Sequence, residues 1–118
     1  MIVAQTEWVV PTEYPDLRSA NEIAIDLETR DPNLKETGSG AIAGDGEVVG
    51  IAVAVDGYKN YFPIAHGEGP NMDRKKTLDW FKDICESPAT KIFHNAMYDV
   101  CWIRNLGIKI NGLIIDTM

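Results

Sequence analysis

The 118-residue sequence predicts an α/β domain, a single mixed β-sheet with helices packed against it. Two observations point to this class. Three strand-like segments come first, two of them joined by an Asp-Gly hairpin signal, and short apolar strands then alternate with two amphipathic stretches of helical period. At 45% hydrophobic residues the chain can bury one core, so residues 1–118 form a single domain, with 1–21 an entry segment and 22–118 the core.

The entry segment holds a small apolar patch at Trp8, Val9 and Val10, and then "PTEYPD", whose two prolines argue against a long element. "EIAIDLE" (22–28) alternates apolar and polar residues and reads as the first strand. Between Arg30 and Gly46, Pro32, Gly38, Gly40, Gly44 and Gly46 predict a long mobile loop, of the kind that is more often functional than idle. "EVVGIAVAV" (47–55) is the second strand, "DGYK" (56–59) the turn, and "NYFPIA" (60–65) the returning third strand. A helix follows in "MDRKKTLDWFKDICES", where Leu78, Phe81, Ile84 and Cys85 recur at helical spacing, with Asn71 or Asp73 as cap and Pro88 beyond its end. "KIFH" (91–94) is a buried strand, Asn95 the N-cap of a second helix closed by Gly107, and "LII" (113–115) the last strand.

A net charge of −7 disfavours a protein that grips phosphate backbones by charge alone. A nucleic-acid partner would need positive charge from elsewhere, from a metal or a neighbouring domain. Cys85 and Cys101 are too few and too far apart for a disulfide framework or a zinc cluster, and read as small core residues in a reducing compartment. No apolar run approaches the ~18 residues of a membrane span, and the N-terminus lacks signal-peptide character, so no membrane partner and a cytoplasmic location are expected.

Within the first strand, Asp26 and Glu28 point to one face and Ile25 and Leu27 to the other. Two carboxylates with Cα atoms ~6.6 Å apart in a half-buried site repel unless one is protonated or a cation lies between them. A hard divalent cation suits such oxygen donors, and a strand end emerging into solvent is the plainer alternative. In "HNAMYDVCWI", Asn95 and Asp99 share a helix face four residues apart, beside Tyr98. Asn95 could equally be a simple cap, Asp99 a solvated acid, Tyr98 a half-buried aromatic and His94 a satisfied strand-end histidine.

Taken together, "IDLET" resembles the first motif (Asp-x-Glu) and "HNAMYD" the second (Asn-x-x-Tyr-Asp) of the DEDD 3′–5′ exonucleases. "VVGIAVAV" followed by "YFPIAH", with the terminal "IIDTM", resembles the proofreading exonuclease domain of family A DNA polymerases, in bacterial or phage versions, over roughly residues 20–118; "TRDPNL" is closer to the phage ones. The resemblance implies a ribonuclease-H-like fold, an antiparallel three-strand meander plus parallel strands. It further implies that Asp26, Glu28 and Asp99 are catalytic ligands of two divalent ions, Mg²⁺ or Mn²⁺. Leu27, Asn95 and Tyr98 would contact the 3′-terminal nucleotides of single-stranded DNA, and the polymerase domain of the same full-length protein would be the partner, in the host cytoplasm if phage-encoded. Asp116 is expected as a structural residue behind the ligands, or as the cap of a helix beginning after it, rather than as the fourth ligand. The third motif, Tyr-x-x-x-Asp or His-x-x-x-Asp, is not in the sequence, so the domain is expected to be C-terminally incomplete, with a site that by itself lacks the fourth acid and the general base needed for activity. A non-catalytic module that binds nucleic acid or a partner, and a ribonuclease D-like RNA exonuclease, are the alternatives.

Overall fold

The structure, a computed structural model, describes residues 8–118, so the first seven residues of the expected entry segment lie outside the described residues. The elements are β1 (Glu22–Arg30), α1 (Leu34–Thr37), α2 (Gly40–Ala43), β2 (Glu47–Val55), β3 (Tyr58–Pro63), α3 (Arg74–Glu86), β4 (Thr90–Phe93), α4 (Ala96–Asn105) and β5 (Ile114–Asp116). The strands form one sheet in the order β3-β2-β1-β4-β5. β1, β2 and β3 make an antiparallel meander, while β4 lies parallel to β1 and β5 parallel to β4. This is the mixed sheet with flanking helices that the ribonuclease-H-like class implies.

Alternation decides which face of β1 is buried: Ile23, Ile25 and Leu27 enter the core, and Asp26 and Glu28 stay exposed. The apolar row packs in one cluster with Ile51, Val53 and Phe62 of the meander, Phe81 and Ile84 of α3, and Trp102 and Ile103 of α4. α3 starts at Asp73, whose side chain accepts the Lys76 N–H at 2.9 Å. The proline-rich entry straps onto this helix, with the Trp80 indole N–H donating to the Pro15 carbonyl at 2.7 Å and the Tyr14 and Thr77 hydroxyls 2.7 Å apart. Cys85 is buried in the core, where desolvation pushes its thiol up to about 12, and Cys101 is half-buried; both are free.

Two sequence expectations need correction. The loop from Arg30 to Gly46 is not an unstructured connection, because it contains the single turns α1 and α2. Asp31 accepts the Gly40 N–H, Ser39 caps α2 by accepting the Ala41 N–H, and Asn33 donates to Asp45 at 2.7 Å. Gly40 is required there, since a Cβ would overlap the Asp45 carbonyl. The second correction concerns Asn95, which takes the N-cap position of α4 in a left-handed conformation (φ 72°) without a side-chain cap bond. Asp116 supplies the cap instead, accepting the Asn95 N–H at 3.0 Å and the Ala96 N–H at 3.1 Å. Asp116 also accepts the Met118 N–H at 3.0 Å, while its other two bonds serve the helix before it. The physical reason is the parallel β4–β5 register, which pairs Phe93 with Asp116 and so sets that carboxylate beside the chain leaving β4.

Candidate active site

β1 and β4 pair only from Glu22–Ala24 to Thr90–Ile92, after which β4 runs on into α4. Beyond that point the Leu27 amide has no strand partner on this edge, and a buried N–H must find an acceptor. Asp99, in the first turn of α4, provides it: Leu27 N–H donates to Asp99 Oδ2 at 3.4 Å. The contact joins residues 72 apart in sequence and sets a carboxylate against the backbone between Asp26 and Glu28.

Asp99 is only 4% exposed. Burial is the largest cause pushing its carboxyl up to about 6; the Leu27 N–H opposes the rise, and the charges of Asp26 and then Glu28 add to it. Near neutral pH three negative charges therefore act on one another, and among the described residues none of the three carboxylates has an ion-pair partner. Donor chemistry and charge fit a hard divalent cation. The side chains do not converge, however: among the described residues no three His, Cys, Asp or Glu side chains are grouped closely enough to hold a metal ion.

The other candidates divide. Leu27 buries its side chain and offers only backbone to the site. Tyr98 is half-buried at the far end of β1, donating to Asp31 Oδ2 at 2.8 Å and lying 2.8 Å from the Thr29 hydroxyl. Asn95 is half-buried at the β4–α4 junction, held through its backbone by Asp116. Asp116 is exposed, and the Met118 N–H, followed by those of Ala96 and Asn95, holds its carboxyl below the usual range. Exposed His94 lies 3.1 Å, Nδ1 to Oγ1, from Thr117 at the strand end.

Sequence reasoning missed Asp31 and Tyr61. Asp31 joins Tyr98 to the Gly40 amide, and its only sequence signal was its place five residues after Asp26 in a turn-rich segment. Tyr61 sits on β3, paired with Ala52, which pairs in turn with Asp26, so the three side chains share one face of the sheet.

No family model matches this chain. In an alignment of 114 positions that covers 88% of its length, it is 36% identical to a DNA-directed DNA polymerase of Pseudomonas phage M6, and it spans 16% of that protein. Among solved structures it is similar to Brucella melitensis NrnC, with TM-score 0.47 and 20% identity over 76% of this chain and 37% of that one. The same protein with bound Mg²⁺ gives a TM-score of 0.46 at 21% identity, covering 76% of this chain and 38% of that one.

Proposed function

We propose that this chain is a metal-dependent 3′–5′ exonuclease segment of a larger, family A DNA polymerase, acting on single-stranded DNA 3′ ends in proofreading. The observation that carries the reading is the delivery of Asp99 by α4 to the Leu27 amide, beside Asp26 and Glu28. The likeness to part of a phage DNA polymerase supports the larger context and a host-cytoplasm setting.

In this reading Asp26, Glu28 and Asp99 would hold two divalent ions, Mg²⁺ or Mn²⁺. Such ions, when bound, activate water for attack on phosphorus and stabilise the departing 3′ oxygen. The chain's own residues do the rest. Asp26 and Glu28 present their charge from a rigid central strand, and Asp99 is fixed by burial and by the Leu27 N–H. Asn95 and Tyr98 bind the terminal nucleotides, Tyr98 with its hydroxyl oriented by Asp31 and Thr29. The Leu27 backbone borders the terminal base.

The test is release of nucleotides from the 3′ end of labelled single-stranded DNA and RNA by the polymerase carrying this segment. Asp26→Ala and Asp99→Ala are each expected to abolish release while the protein stays folded. Undiminished release in both variants overturns the reading, and a clear preference for RNA ends moves it to the ribonuclease D-like alternative. The unconverged carboxylates favour a second reading, binding of nucleic acid without cleavage. Retained single-strand binding with no metal-dependent release would support that one.

A further inference from the structure

On the open sheet face the row Asp26–Ala52–Tyr61 runs across three strands, and Glu28–Gly50–Pro63 forms the next. Tyr61 leans from its own row into the second. A Cβ built at Gly50 would overlap the Tyr61 hydroxyl and ring, so the phenol occupies the space directly opposite Glu28 that any other residue at position 50 would fill. The hydroxyl is also tied down, being hydrogen-bonded to His66 Nε2. His66 is itself clamped at the backbone by Asn71, which accepts the His66 N–H at 2.8 Å and donates to the His66 carbonyl at 2.9 Å. Trp8 packs on the other side of Tyr61, ring centroids 6.1 Å apart, with its indole N–H donating to Asn60 at 3.0 Å. A phenol held on three sides beside two carboxylates is more organised than packing alone requires.

We propose that Tyr61 and His66 are positioning residues of the carboxylate site, with His66 donating to the phenol oxygen so that the Tyr61 O–H points toward Glu28 and orients its carboxylate. Gly50 is part of the device because it leaves the opening through which the hydroxyl reaches the strand bearing the acids. The inference rests on the exonuclease reading, since it takes Asp26 and Glu28 to be metal ligands.

The test is Mn²⁺ affinity of the full chain, measured by calorimetry for the unsubstituted protein and for Tyr61→Phe, His66→Ala, His66→Gln and Gly50→Ala, with thermal unfolding in chelator as the folding control. Tyr61→Phe, His66→Ala and Gly50→Ala are each expected to weaken Mn²⁺ binding about tenfold, the scale set by outer hydrogen-bond partners of metal ligands. His66→Gln, which keeps a donor, restores part of the affinity. A merely structural Tyr–His contact would lower the unfolding temperature without changing affinity, and unchanged affinity in folded Tyr61→Phe and Gly50→Ala overturns the inference while leaving the exonuclease reading intact. Absence of Mn²⁺ binding by the unsubstituted chain overturns the metal-site reading and this inference with it.

Discussion

Asp99 carries a cost in stability. Its carboxyl ordinarily titrates at 3.8 and is pushed up to about 6 in the fold. Below the lower value the acid is protonated whether the chain is folded or not, so the native burial is tolerated. As pH rises through about 6 the charged form is forced into the native site and that stability is lost. The loss is on the order of 3 kcal/mol, at about 1.4 kcal/mol for each unit of pKa. Asp99→Asn should therefore be more stable than the unsubstituted protein at pH 7.5 without metal, and the advantage should shrink toward pH 4; urea unfolding at the two pH values measures it. An advantage that grows toward low pH would contradict the burial of the charge. Lys91 poses the opposite case. It is fully buried, desolvation pulls its ammonium pKa down, and its Nζ donates to the Ser87 carbonyl, to Ser87 Oγ at 3.3 Å and to the Asn111 carbonyl at 2.9 Å. Lys91→Ala leaves those acceptors unpaired and opens a cavity, for an expected loss of about 2–4 kcal/mol in urea unfolding. A loss below about 0.5 kcal/mol would mean that this lysine does not bind the end of α3 to the chain before β5.

At the scale of elements, α4 brings Asp99 to the Leu27 amide, and Asp116 holds the first amides at the start of that helix. Asp116→Ala removes the acceptor of the Asn95 and Ala96 amides, so hydrogen exchange at those two amides should quicken while the β1–β2 amides keep their protection. Unchanged exchange would show that α4 is held by its packing alone. The strands and the two long helices were legible in the sequence because period-2 and period-3.6 patterns are written locally, in "EIAIDLE" and in the Leu78–Phe81–Ile84 row. The cap from Asp116 was not, because it depends on β5 adding in parallel beside β4. The loop from Arg30 to Gly46 was misread for a similar reason. Glycines announce flexibility, but here Gly40 is pinned by Asp31, and Asp31 also receives Tyr98 from α4. Asp26 and Glu28 were legible from alternation alone; the arrival of Asp99 was legible only through the paired motifs, since no local pattern brings together residues 72 apart.

For the molecule as a whole, a net charge of −7 and an acidic face at the sheet centre oppose the approach of a polyanion. On the exonuclease reading proposed above, cations must bind before substrate, so DNA-end binding should depend on divalent ions far more steeply than on the chain's own lysines and arginines. Among the described residues no helix is long and apolar enough to cross a membrane. If Asp26, Glu28 and Asp99 together form one metal site, as proposed, Mn²⁺ titration of the purified chain, followed by heat and by thermal stability with Asp26→Ala as control, reports it most directly. Saturable binding that raises the unfolding temperature and disappears in Asp26→Ala is expected. A folded chain that takes up no Mn²⁺, or an Asp26→Ala variant that binds it equally well, would contradict that claim.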